Sequence, residues 1–468
     1  MVPCKRIAAG GEQVNTSSVV LDHVVVGGRI LVHECTKAKN DMSLNTAGND
    51  IEPLHYSSNA ILLVLSLFPV VFISFGFIVD TPEAVCRGLV AILMSRDTLI
   101  SDYIGLGGIG AAFVNAGLLM AMAIAVYYRS SVAIGGTSVA CLFLVLGFGL
   151  FGKNILNIWF IVLGVFLYTR FKQERFAPHI NTAFFGAALA PIFTEILFST
   201  ALPLRFSVPL SLVTTLVLGF VLVPIAAQVF KAHMGFSLYN IGFTAGIVGT
   251  LVITLYRSYG FVPEPVFIWT TGNNALLGAL LVVTCISMAA GGLCLDRNAV
   301  AHQVRIMRLS GQAPTDFISF AGIGPALFNM SLTGATGTAY VLFVGGDLNG
   351  PTVGAILAIV GFSACGKHPR NILPIIAGVF IGSLVKLWNA DDPSAVLAAL
   401  FGTTLAPIAG RFGWLWGIVA GFLHSSVAQN IGQVHGGLVL YKNGFAAGLV
   451  ATILVPIIIA VRPPAESD

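Results

Sequence analysis

From Ala60 to the C-terminus, apolar runs recur between short polar interruptions. Most approach the roughly 20 residues that a helix needs to cross the ~30 Å hydrocarbon core of a bilayer. The first half holds seven such segments, near residues 59–79, 104–128, 132–151, 154–170, 181–202, 207–230 and 240–257. The second half holds seven more, near 269–293, 318–344, 350–365, 371–387, 394–409, 413–430 and 443–461. The pattern predicts an all-α polytopic membrane protein of 12–14 transmembrane helices, some of them broken or re-entrant.

The two sets are copies of one another. At an offset of 214, DYIGLGGIGAAFVN from Asp102 lies over DFISFAGIGPALFN from Asp316, and GFGLFGKN from Gly147 lies over GFSACGKH from Gly361. Between residues 102 and 166, 22 of 65 aligned positions are identical, several times what unrelated apolar segments share. After small gaps, HMGFSLYNIGFTAG from His233 matches HGGLVLYKNGFAAG from His435, with every spacing of H-x-G-x-x-x-Y-x-x-G-F-x-A-G retained. Such self-similarity marks an internal duplication. It divides the chain into a polar tail over residues 1–56, a first repeat over 57–262, a second over 263–462 and a short tail over 463–468. The N-terminal tail lacks an apolar core behind a basic start, so it reads as an unordered segment and not as a cleavable signal peptide.

An odd number of segments per repeat inverts the second copy across the membrane. Loop charge agrees. Arg170, Lys172 and Arg175 follow one segment, whereas the matching loop carries Lys386 against Asp391 and Asp392. Arg297, Arg305 and Arg308 lie between Asp296 and Asp316, whereas the matching loop from Asp80 to Asp102 holds four acids against Arg87 and Arg96. Basic loops stay in the cytoplasm, which puts both termini inside; Arg205 and Lys442 fall on the wrong side. The expected location is a bacterial inner membrane.

Composition removes other classes. Of 468 residues 56% are hydrophobic and 9% charged, with a net charge of +4, so nucleic-acid binding is not expected. Seven scattered cysteines form no C-x-x-C pair, and neither metal nor cofactor is expected. The spacing G-x-x-x-x-G-K at Gly147–Lys153 suggests a phosphate-binding loop. Such loops require Ser or Thr after the lysine and a strand before it; here Asn154 and His368 follow, and the flanks are apolar helices.

The duplicated G-I-G-x-A-x-x-N, G-K-x-x-x-N-I and L-Y-x-x-G-F-x-A-G-L blocks resemble an uncharacterised family of bacterial integral membrane proteins, a domain of unknown function, over about residues 60–460. That resemblance implies location and architecture, and no substrate. The two inverted halves with Asn- and Gly-rich breaks are also loosely similar to urea-channel-like folds.

Polar residues inside apolar segments are the candidates for function. His233, His435, Tyr239 and Tyr441 sit in the paired helix breaks with Gly235, Gly437, Gly242 and Gly444; the glycines also fit plain small-xxx-small packing. Asn115, Asn329, Asn157 and Asn371 could coordinate a polar solute or bridge helices. Lys153 and Lys367 end predicted helices, either snorkelling to the interface or marking the mouths of a pathway. No carboxylate pair is evident deep in the apolar runs. The one hydrolase-like cluster, His424–Ser425, faces Leu222 in the other copy. The expectation is a non-enzymatic transporter or channel for a small polar solute, neutral or anionic, bound where the repeats meet. Its partners would be lipid, that solute and, as an open option, a second copy of the chain. A subunit of a larger complex is the alternative, and an intramembrane enzyme a weaker one.

Overall fold

The computed structural model describes residues 54–461 apart from 55, 98–99, 199–201, 263–265 and 435. Except for Leu54 and Tyr56, the two expected tails lie outside the described residues.

In hydrocarbon an open chain can satisfy its backbone polar groups only as helix, and the apolar runs fold accordingly. Among the described residues, eight helices are long and apolar enough to cross a membrane: Ser58–Val79, Ile109–Arg129, Ala177–Leu197, Leu204–His233, Asn240–Ser258, Asn274–Leu295, Pro393–Phe412 and Lys442–Val461. Ile323–Phe343 and Trp414–Asn430 stand in the second repeat where Ile109–Arg129 and Leu204–His233 stand in the first. With these two counted by their place in the repeat, each copy holds five such helices among the described residues. The other apolar runs are short helices: Gly136–Phe148, Trp159–Phe171, Gly350–Phe362 and Pro369–Val385. They form two re-entrant hairpins. Ser130 shares a shallow pocket with Thr169 and Arg170, and Phe343 packs on Phe380 with ring centroids 5.8 Å apart, so each hairpin returns to the face where it began. Hence, among the described residues, the seven runs of each repeat fold as five longer helices and one re-entrant hairpin.

Contacts at the helix ends show the inversion. On one face Ile134 N donates to Ser58 Oγ (3.1 Å), Gln312 Nε2 to Met234 O (2.7 Å) and Gly136 N to Asp316 Oδ2 (2.9 Å). On the other face Leu348 N donates to Asn274 Oδ1 (2.6 Å) and Gly350 N to Asp102 Oδ1 (3.1 Å), and the two-residue strands Ile100–Ser101 and Phe267–Ile268 pair in parallel. The first helix of repeat 1 therefore starts on the first face, and that of repeat 2 on the opposite one.

At the centre, Gly136–Phe148 and Gly350–Phe362 lie antiparallel along their whole length. A Cβ added at Gly147 would stand 2.6 Å from Gly354 O, and one at Gly354 2.5 Å from Gly147 O. One at Gly136 would meet Ala364 O at 2.1 Å, and its mate at Gly350 would meet Leu150 O at 2.5 Å. Only residues without side chains let two backbones approach this closely. Every residue of Gly350–Phe362 is buried, so its first N–H groups need protein partners. Asp102 supplies one while also capping its own short helix at Ile104 N (3.0 Å), and Asp316 does both for Gly136 and Ile318. Each aspartate thus caps the re-entrant helix of the other repeat.

Around this core the outer helices turn apolar side chains outward, among them Leu63, Val70, Leu251, Ile286 and Ile453. This band is the lipid-facing surface of an integral membrane protein.

Candidate functional site

The Gly-Lys turns lie inside the protein, between the two arms of each hairpin. A helix that ends within the bilayer leaves carbonyls with no water to meet them, and paired asparagines supply the donors. Asn115 Nδ2 donates to Gly149 O (2.7 Å) and Lys153 O (2.9 Å), while its Oδ1 accepts from Ile155 N (3.2 Å). Asn329 Nδ2 donates to Ser363 O and Lys367 O, both at 2.7 Å, and its Oδ1 accepts from Gln303 (2.8 Å). Asn157 Oδ1 accepts from Asn154 N (3.0 Å), as Asn371 Oδ1 does from His368 N (2.9 Å). Their amide groups reach Gly152 O (3.2 Å) and Gly366 O (2.9 Å). All four carboxamides hold the turns, and none lines the cavity described below.

Those turns aim two lysines at the opposite repeat. Lys153 and Lys367 are fully buried, so neither snorkels to the interface. Lys153 Nζ donates to Tyr441 Oη (2.7 Å) and Phe184 O (3.3 Å). Lys367 Nζ donates to Tyr239 Oη and Thr403 Oγ1, both at 2.8 Å. The crossed pairs carry matching aromatic neighbours. Lys153 lies 5.4 Å from the Phe148 centroid and 5.0 Å from that of Tyr441; Lys367 lies 5.3 Å from Phe362 and 4.6 Å from Tyr239. Both geometries fall within cation–π range. Among the described residues, no ion pair gives either lysine a carboxylate.

Between the two tyrosines lies a cavity of about 260 Å³. Its walls come in repeat pairs: Tyr239 with Tyr441, Gly242 with Gly444, Phe148 with Phe362, and Phe185 with Phe401. The helices Asn240–Ser258 and Lys442–Val461 begin at it, contributing Asn240 and Asn443 from their first turns. They pack through Gly242, whose added Cβ would stand 3.2 Å from Gly444 Cα. Asn443 is buried. The lining reaches the first face through Thr137, Asn181, Thr182 and Ala313–Thr315.

Other sequence candidates stand back from the cavity. His233 is buried beside it, its Nε2 3.0 Å from Asn240 Oδ1. His435 lies outside the described residues. Gly235 and Gly437 both adopt φ +77°, a left-handed conformation suited to glycine, and they form the paired breaks before the cavity helices. The motif search missed Asp97, which is fully buried and accepts from Tyr103 Oη (2.7 Å), Asn157 Nδ2 (3.0 Å) and Thr194 Oγ1 (3.2 Å). Glu195 next to Thr194 is buried as well. No sequence signal separates such acids from solvated loop charges. Gly311 stands where the second repeat would place an equivalent of Asp97.

Neither a curated protein nor a solved structure matches the chain. A family match covers residues 81–258, within the first repeat, and 295–460, within the second. These regions make up more than half of the sequence, and the chain belongs to the family described as Protein of unknown function (DUF1576).

Proposed function

We propose that this protein is a membrane transporter or channel for a small polar solute, neutral or anionic, which binds in the cavity between the inverted repeats. The observation that carries this reading is the cavity itself, with paired walls from both repeats. Inverted repeats that meet at a central site are the architecture of alternating access, in which one half rocks against the other around a fixed site. The protein carries out no covalent chemistry in this reading. We read the face that Thr137 and Ala313–Thr315 reach as the cytoplasmic one of a bacterial inner membrane, because it bears Arg170, Lys172, Arg175, Arg297, Arg305 and Arg308. Ser58 lies on that side too, bonded to Ile134, which supports cytoplasmic termini.

Purified protein in detergent tests the reading through its melting temperature against a panel of small solutes. A ligand at 100 times its Kd adds about 2.7 kcal/mol of stability, enough to move a melt. Any hit is then followed as flux into proteoliposomes. The expected result is saturable flux that falls at least tenfold in the Tyr239→Phe/Tyr441→Phe double variant. Solute binding without any flux would sink the transport reading.

A further inference from the structure

The same cavity carries a statement about its occupant, one that rests on the transport reading for its biological sense but not for its chemistry. We infer that the cavity selects a small organic anion with a flat apolar body, such as an aryl carboxylate, and that the two lysine-backed tyrosines are its specificity-determining residues.

Three observations converge. The first is charge. Two fully buried amines stand behind Tyr441 and Tyr239, which line the cavity, and the described residues supply neither with a carboxylate. A buried cation without a counter-charge is costly, and an anion between them offsets that cost. The second is donor chemistry. A phenol that accepts a hydrogen bond from an ammonium keeps its own proton to donate, and donation to an ionised acceptor is about twice as strong as to a neutral one. Tyr441 and Tyr239 are held this way at 2.7 and 2.8 Å, and both line the cavity. Two helices of 19 and 20 residues also begin there, and the N-terminal end of a helix favours negative charge. The third is shape. A cavity of about 150 Å³ takes benzene, so about 260 Å³ takes a ring with one or two substituents. Phe148, Phe362, Phe185 and Phe401 supply flat apolar walls for that ring. A bare inorganic anion would leave those walls empty, and a cation would find no carboxylate in the lining.

The test compares benzoate with benzamide, its neutral near-isostere, and with benzylammonium. Affinities are read from the melting temperature of the full chain in detergent, and fluxes are read in proteoliposomes. Benzoate is expected to bind at least tenfold more tightly than benzamide, with benzylammonium weakest. That preference is expected to disappear in Tyr239→Phe/Tyr441→Phe, where the rings and their packing remain, and in Lys153→Met/Lys367→Met. Benzamide binding as well as benzoate would overturn the inference, and flux of benzamide would at the same time leave the transport reading standing. Tight benzoate binding without flux of any solute would uphold the inference and remove transport. No binding by any of the three at millimolar concentration would overturn the inference.

Discussion

Asp102 and Asp316 show how much one side chain does when a helix begins inside a membrane. Each caps its own short helix and gives its second oxygen, or a second lone pair, to the first N–H of the other repeat's re-entrant helix. Hydrogen bonds to a charged partner contribute about 1.5–3 kcal/mol each. Asp102→Ala and Asp316→Ala are therefore each expected to lower unfolding stability in detergent by about 2–4 kcal/mol, with Asp→Asn recovering part because an amide oxygen still accepts. Exposed Asp391 provides the control; if Asp391→Ala weakens the fold as much, the cross-repeat caps contribute nothing. The equivalence of the two aspartates is visible in the aligned sequence. Their role is not, because the N–H groups they serve lie some 180 and 250 residues away in the other copy. The lysines mislead for a related reason: hydropathy marks where a helix ends, but not whether that end meets water or the inside of a hairpin.

At the level of elements, the sequence reading is closest where a run has full length and least informative where it is short. Helices of 19 to 30 residues stand where apolar runs predict them. A 13-residue helix is about 20 Å long, too short for the hydrocarbon core; Gly136–Phe148 and Gly350–Phe362 were visible as runs, yet their turning back depends on packing against each other. Glycine is the residue that decides this packing. With a Cβ 2.6 Å from Gly354 O, Gly147→Ala must push the two half-helices apart, at a cost of about 1–3 kcal/mol for overpacking. Gly291, in a lipid-facing stretch of Asn274–Leu295, has no atom within 4 Å of its added Cβ. Gly291→Ala is expected to be neutral or to stabilise by up to about 1 kcal/mol, the helix propensity difference. Opposite signs for the two substitutions in SDS-unfolding titrations are the expected outcome. Equal tolerance at both positions would show that the central contact is not tight.

For the whole molecule, duplication and inversion were legible from an offset of 214 and from loop charge, and the cavity was not, since it exists only where segments far apart in both repeats meet. The state of that cavity was even further from reach. Two inverted copies could in principle be arranged with perfect two-fold symmetry, which would give both faces the same access. They are not. Thr137 is exposed and Asn181 partly so, whereas their repeat-mates Pro351 and Leu397 are buried. The two repeats therefore differ in exposure at equivalent positions, and in the proposed transport reading exchanging the two conformations would open the opposite face. A cysteine at each position reads that exchange. Thr137→Cys is expected to react quickly with a membrane-impermeant maleimide from the side of Arg170 and Arg305. Pro351→Cys should react slowly, and only from the other side. A bound solute that closes the open half must slow the first reaction, and conditions that favour the alternate state must speed the second while slowing the first. If the two rates move in the same direction, the halves breathe together and the protein is a pore that stays open or shut as a unit. If Pro351→Cys never reacts while flux persists, the exchange does not occur along this axis.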